Sequence, residues 1–193
     1  MKKCNIVLGI MGGIAAATKP IDFIIKMKQS APQNGYGVNI DTILTPTATH
    51  FVTPLSLQTF SCNKVHLDMF ERVETYKPDH VSLSEHANIM ILMPATASTI
   101  GKIVGGIADN LLTTTVLATT CPIVIAPAMN VNMWNNKYTQ RNIETLRNDK
   151  QFTVINPIEG MLACGYKGVG ALAEIDTVFE VVNNLIIENK LYQ

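Results

Sequence analysis

An excess of charge of either sign is missing from this chain: 15 Lys and Arg stand against 15 Asp and Glu in 193 residues, a formal net charge of zero. Without a basic footprint, neither nucleic acid nor an anionic membrane is an expected partner. Charge is scarce altogether, 16% of residues against 47% hydrophobic. That balance leans toward a buried subunit interface, although a large α/β core would also produce it. Cysteine is sparse too. Cys4, Cys62, Cys121 and Cys164 show neither paired nor metal-like spacing, so a disulfide scaffold is not supported and a reduced, cytoplasmic setting is the default. Of the four histidines, His80 and His86 stand six apart, a poor helical spacing for a shared ligand, and no metal site is expected. The turn GIMGG (9–13) does not match G-x-G-x-x-G, which leaves a classical NAD site unsupported. No internal repeat, low-complexity stretch or domain boundary is legible. The expectation is a single domain over 1–193, long enough for a real core.

The first seventeen residues imitate a signal peptide, with Lys2, Lys3, an apolar stretch and small residues after it. Periodic apolar residues (Ile21, Ile24, Ile25, Met27) continue past any cleavage point, however. The better reading is a strand, Cys4–Ile10, a glycine turn at Gly12-Gly13, and a helix through about Gln29. A second strand is expected over Gly37–Leu44, followed by Thr45-Pro46-Thr47, where Thr47 is a candidate helix N-cap. Val52–Ser61 reads as a short helix, Asn63–Pro78 as an irregular surface stretch, and Asp79–Ala87 as a helix. Helices are expected over Ile100–Ile107 and Asp109–Thr119, with a break at Gly105-Gly106, and over Lys137–Asp149 and Ile175–Glu188, with Phe152–Ile155 as the last strand. Lys102 and Asp109 imitate a catalytic pair. An Asp109-Asn110 helix cap, on a helix packed at a subunit contact, is the better reading. Strands alternating with helices of this length imply an α/β fold, a doubly wound parallel sheet of the Rossmann or flavodoxin-like kind.

Two loops stand out. The run Ile89–Met93 (IMILM) breaks into PATAST (94–99), and the run Pro122–Ala126 (PIVIA) breaks into PAMNVNMW (127–134). A β-branched run that ends at proline reads as a buried strand, and the loop after it lies on the sheet's carboxyl edge, where open α/β sheets bind ligands. One such loop alone is better explained by turn-capping asparagines and gap-filling methionines. Two of them, rich in hydroxyls and amides, point to one pocket. A third block, Leu162–Leu172, is punctuated by Gly165, Gly168 and Gly170. It is expected to be a mobile lid, over about 160–174, rather than a regular element.

PATAST resembles the PASANT motif, and PAMNVNMW the PxMNxxMW motif, of the homo-oligomeric flavin-containing cysteine decarboxylases. Ala163–Glu174 (ACGYKGVGALAE) resembles the substrate clamp of the branch that acts on phosphopantothenoylcysteine. The similarity runs from the first strand to about Ile175, with three motifs in the family's order. It implies FMN as cofactor, held by Gly12, Gly13, Ile14, Thr45, Thr47, Thr96, Ala97, Ser98, Thr99 and Ala128. It departs from the family at Gly13, where a hydroxyl residue is usual. That leaves phosphate binding there to backbone amides at a helix start. By position, His80 matches the family's active-site histidine, nine residues before the Ile89 strand. Asn130 and Cys164 match its other catalytic residues, and Met133, Ala163 and Leu172 are implied as substrate contacts. A trimer, or a trimer-based shell with flavin at subunit contacts, is implied as well.

The implied chemistry answers a real difficulty. A cysteine carboxylate loses CO₂ reluctantly because the carbanion left behind has no sink. Oxidation of the CH₂–SH carbon to a thioaldehyde provides one. On this reading His80 takes or orients the thiol proton, a role suited to an imidazole. Asn130 holds the scissile carboxylate without overstabilising it, as a cation would. Cys164 returns a proton once CO₂ has left an ene-thiolate. Two alternatives stay open: a peptidyl-cysteine decarboxylase that stops at the ene-thiol, and a regulatory flavoprotein without turnover.

Overall fold

One six-stranded parallel sheet organises the chain in the computed structural model, which describes residues 2–70, 77–161, 165 and 167–192. Strands β1 (Lys3–Ile10), β2 (Gly37–Leu44), β3 (Val65–His66), β4 (Ile89–Ala95), β5 (Ile123–Pro127) and β6 (Phe152–Val154) lie in the order β3-β2-β1-β4-β5-β6. Every pairing in the sheet is parallel. The chain steps outward from β1 to β3, then returns to β4 and steps the other way. The topological switch point therefore lies between β1 and β4, where doubly wound sheets bind their ligands.

The apolar runs explain why the sheet is covered on both faces. Successive side chains point to opposite sides, and in β1, β4 and β5 both sets are buried. Ile6, Leu8, Ile91 and Val124 face one core, with Phe23 and Met27 of α1 (Lys19–Ser30), Leu57 of α2 (Pro54–Ser61) and Val178, Val182 and Ile186 of the C-terminal helix Ile175–Glu188. Val7, Met90, Leu92 and Ile125 face the other core. They pack there with Leu83 of α3 (Asp79–His86), Ile100 and Ile103 of α4 (Ala97–Val104), Leu111, Leu112 and Val116 of α5 (Leu111–Ala118), and Ile143 and Leu146 of the helix Lys137–Arg147. Each fully buried Ile, Leu or Val contributes about 1.5–3 kcal/mol, so the two-sided burial carries most of the fold.

Local chemistry sets several ends. The four-residue turn Val131–Trp134 is α6, and Lys137–Arg147 is α7, which stops two residues before the expected end at Asp149. Thr96 caps α4, its hydroxyl accepting from Thr99 N at 3.4 Å. That makes Ala97–Thr99 the first helical turn rather than loop, three residues ahead of the expected start. Asn110 caps α5 in a reciprocal box with Thr113, as the Asp109-Asn110 reading expects. Thr47 is not an N-cap: Thr45 holds that place ahead of the 3-10 turn Pro46–His50, and Thr47 lies inside it. The first helix opens with a separate 3-10 turn, Ile14–Ala17, before α1 begins at Lys19.

Two expectations are corrected by further strands. The Asn63–Pro78 stretch contains the edge strand β3, paired with β2 through Thr42–Val65 and Ile43–His66. Phe152–Val154 is not the last strand. β7 (Ile158–Met161) and β8 (Lys167–Ala171) form a separate antiparallel ribbon, so the flanks of the glycine-punctuated block are regular elements. β-strands tolerate glycine where another backbone comes close, and here one does. The closing helix, α8, spans Ile175–Glu188 as expected. No described helix is long and apolar enough to cross a membrane.

Candidate functional site

Four loops leave the carboxyl edge of the sheet beside the switch point, and the sequence accounts for the way each is held. After β1, Gly12 lies so close to the β2 loop that a Cβ there would sit 2.7 Å from Cβ and Oγ1 of Thr47 and 2.9 Å from its carbonyl carbon. Only glycine lets these two segments touch. Thr45 ties them together: its N–H donates to Ile10 O at 3.0 Å, and its hydroxyl lies 3.3 Å from both Ile10 O and Thr47 Oγ1. Gly13 differs, since a Cβ on it would meet nothing within 4 Å. It precedes a 3-10 turn that no side chain caps. Ile14 begins that turn, 63% exposed.

The β4 and β5 loops form the other wall. Thr96 and Thr99 share a hydroxyl contact of 3.2 Å at the start of α4, with Ala97 and Ser98 between them. Ala128 N–H donates to Ala95 O at 3.0 Å, which extends the sheet's pairing into both loops. Two residues on, Asn130 caps α6, its Oδ1 accepting from Asn132 N at 2.8 Å. An amide nitrogen is a donor, the group a carboxylate accepts from. Met133 is 47% exposed, whereas Trp134 is buried in the second core.

The ribbon docks on this loop. Met129 N–H donates to Gly170 O at 2.9 Å, and a Cβ on Gly170 would collide with Met129 O at 2.3 Å. Gly168 faces Val131, whose side chain would lie 3.2 Å from an added Cβ. Gly168 and Gly170, two of the three glycines assigned to flexibility, are therefore close-approach positions for β8 against Pro127–Trp134, whereas a Cβ on Gly165 would meet nothing within 4 Å. Leu172 is 6% exposed and packs in the first core. Ala163 and Cys164 lie outside the described residues.

His80 stands apart from these loops. It is the second residue of α3, whose start lies toward the carboxyl edge because α3 leads back into β4. Among the described residues only two buried side-chain atoms lack a hydrogen-bond partner, Thr42 Oγ1 and His80 Nδ1. Buried polar atoms are normally paired, so an orphaned imidazole nitrogen fits a group from outside this chain. The loops hold hydroxyls and amides, whereas titratable groups cluster nearby at β2 and β3. His66 Nδ1 lies 2.7 Å from Asp79 Oδ2, and His86 Nε2 lies 3.8 Å from Asp41 Oδ2. Burial pushes the Asp41 carboxyl up, with His86 and His66 pulling the other way. Sequence reading missed the His66–Asp79 pair. Its members are thirteen residues apart and stand on different elements, β3 and α3, so no local signal marks it.

Lys102 pairs with Asp109 and holds its carboxyl below the usual range. This pair bridges a helix to its own following loop, away from the four loops. Two concavities also lie elsewhere. One of about 430 Å³ is at the end of α2, against Cys62 and Lys64, and one of about 230 Å³ is between α4, α5 and α7. Among the described residues no group of three His, Cys, Asp or Glu could hold a metal.

Comparison with known proteins bears on what this edge does. The Flavoprotein family model matches residues 1–187. The bifunctional coenzyme A biosynthesis protein CoaBC of Bacillus subtilis is 39% identical over 95% of this chain, which spans 43% of that protein. The chain thus spans under half the length of that curated relative. A PPC decarboxylase Cys→Ser mutant complexed with pantothenoylaminoethenethiol superposes with a TM-score of 0.77 at 32% identity, covering 96% of this chain and 99% of the other. The FMN-dependent cysteine decarboxylase SpaF superposes with a TM-score of 0.80 at 28% identity, covering 97% of each.

Proposed function

Because this chain belongs to the Flavoprotein family, we propose that it is an FMN-dependent carboxy-lyase that converts 4′-phosphopantothenoylcysteine to 4′-phosphopantetheine and CO₂ in coenzyme A biosynthesis. The observation that carries this reading is the docking of β8 on the Pro127–Trp134 loop, through Met129 N–H to Gly170 O. It brings the strand within the clamp block to the loop of the asparagine that would hold a substrate carboxylate. Likeness to a PPC decarboxylase and to an FMN-dependent cysteine decarboxylase supports the assignment.

The residues present suit FMN. Gly12 and Thr47 make a cradle that a Cβ would fill, and Gly13 leaves open space before an uncapped turn. Backbone N–H groups there and the hydroxyls of Thr45, Thr47, Thr96 and Thr99 are donors of the kind a phosphate and a polar ring edge require. Ile14, Ala97, Ser98 and Ala128 complete the cradle. When bound, the cofactor supplies two-electron oxidation of the CH₂–SH carbon and a later hydride return.

The protein's own part is positional and acid–base. His80 takes the thiol proton as that carbon is oxidised. Asn130 donates through Nδ2 to the scissile carboxylate, placing it beside the new electron sink, and releases it readily because an amide carries no charge. Cys164 donates a proton to the ene-thiolate so that saturated product forms. Met133, Ala163 and Leu172 shape the substrate pocket. The assembly is a homotrimer or a multiple of one, in the cytoplasm, built from a single domain. Exposed Ile14 and Met133 on either side of the cradle, together with the orphaned His80 Nδ1, suit a site completed between copies.

The decisive experiment incubates the FMN-loaded protein anaerobically with 4′-phosphopantothenoylcysteine and follows CO₂, flavin absorbance and product mass. The proposal expects CO₂, saturated amine and oxidised flavin at completion. It also expects Cys164→Ser to bleach the flavin in one turnover and yield a product lighter by two hydrogens. No CO₂ from this substrate, with CO₂ from a peptide ending in cysteine, reassigns the protein to peptide decarboxylation. Saturated product at the normal rate from Cys164→Ser removes the proton-donor role.

A further inference from the structure

The first turn of α3 is held by an unusual device. Its N-cap position is Pro78, and no side chain caps the helix. In the place of a cap, Asp79 reaches across to the sheet: Oδ2 accepts from His66 Nδ1 at 2.7 Å, with Lys64 Nζ at 3.7 Å. The two side chains are only 12% and 17% exposed. His66 is fixed in turn by β3, a two-residue edge strand in register with β2. The residue that follows Asp79 is His80, whose buried Nδ1 finds no partner. No bond to Nδ1 orients the His80 ring, so its direction follows from how this turn is seated.

Resting on the reading of His80 as the group that takes the substrate thiol proton, we infer that His66 and Asp79 are positioning residues for it. The imidazole–carboxylate contact sets the angle of the α3 N-terminus against the sheet edge and so aims His80. Other charged groups surround the pair. Asp41 reaches His66 electrostatically from β2, and His86, further along α3, lies against Asp41, its Nε2 accepting from Asn39 Nδ2 at 3.3 Å. Lys64 precedes β3 and faces Asp79. The arrangement is therefore a short polar strut from β2 through β3 to α3, with His80 at its far end.

The strut depends on a donor at the Nδ1 position, not on packing alone, and that separates the two readings. His66→Asn puts an amide N–H close to where Nδ1 stands, whereas His66→Leu keeps the bulk and removes the donor. A shift of about 1 Å at a proton-transfer group can cost roughly 100-fold in rate. In the FMN-loaded protein, His66→Leu is expected to lose between about 10-fold and 100-fold in kcat. KM and bound flavin should stay unchanged, and His66→Asn should recover most of the loss. The His80 ring resonances in a histidine-labelled NMR spectrum should move in His66→Leu and return in His66→Asn. A wild-type kcat in His66→Leu, or a loss that His66→Asn does not mend, overturns the inference and leaves the pair as a tether for the edge strand. If the wild-type protein itself releases no CO₂, the decarboxylase reading fails instead, and the His80 resonances alone decide whether the strut aims the ring.

Discussion

At the amino edge of the sheet side chains close hydrogen bonds between the strands themselves, whereas at the carboxyl edge the bonds hold loops against one another. Asn88 shows the first pattern: its Oδ1 accepts from Asn5 N at 2.8 Å and its own N–H donates to Asn5 O at 2.8 Å. Gln151 does the same between β5 and β6, donating to Thr119 O and Cys121 O at 2.9 and 3.0 Å. The carboxyl edge has short hydroxyl and amide caps and two glycines, Gly12 and Gly170, that let backbones approach. The contrast teaches where stability and chemistry reside. Side chains at the amino edge finish the fold, and those at the carboxyl edge shape a surface for something else.

The largest expected effect tests the carboxyl edge. His80→Asn and Asn130→Asp should each lower decarboxylation by roughly 10²–10⁴-fold, while melting temperature and bound flavin stay near wild type. Asp caps a helix as well as Asn does, so Asn130→Asp keeps α6 but sets one carboxylate against another. Turnover measured beside thermal melting decides, and parallel losses of both would erase the contrast between the edges.

At the amino edge the expected effect is on stability at high pH. Burial pushes the Cys4 thiol from 9.0 up to about 12, with Cys121 adding to it, and Tyr36 is likewise pushed up from 10.0 to about 12. Both groups stay neutral in the folded state while the unfolded chain ionises. Stability contributed by this difference is intact below pH 9 and falls as pH rises toward 12. For Cys4 alone the linkage amounts to about 4 kcal/mol across that window. Urea titrations at pH 8 and 11 should show Cys4→Ala losing less stability between the two than wild type does. An equal loss would place the alkaline sensitivity elsewhere.

Gly170→Ala probes the joint between ribbon and loop. Its new methyl meets a backbone carbonyl, which cannot rotate away, so a cost of about 1–3 kcal/mol is expected. Activity should fall further than stability alone explains, because the displaced loop carries Asn130. A variant with full turnover would mean that β8 docking is dispensable. The smallest expected effect belongs to Asn88→Ala: about 1 kcal/mol of stability from one stranded amide, and no change in kcat or KM. A kinetic effect there would show that the two edges are not independent.

How much of this was legible beforehand depends on range. The apolar runs over 4–10, 89–93 and 122–126 identify the central strands because burial on both faces demands near-continuous hydrophobicity. α8 is legible to its ends from its four-residue apolar spacing. Asn110 is legible as a cap from its type and place. The strands β7 and β8 are not legible, since glycine marks both flexible loops and close backbone contacts, and composition does not separate them. Thr47 was misplaced for a similar reason, as a threonine after a strand can be a cap or stand one turn inside.

The sequence by itself determined the alternating α/β order, the two-sided core and the position of hydroxyl- and amide-rich loops at strand ends, because these follow from local periodicity and turn chemistry. Only the tertiary structure decided that Gly12 abuts Thr47, that Gly170 meets Met129 and that His66 reaches Asp79. Each of these contacts joins residues that no helical or strand period relates. They form because parallel pairing sets the ends of β1 and β2 side by side, the ribbon docks on the loop after β5, and α3 starts beside β3. Chain connectivity, rather than any local pattern, sets which side chains meet there.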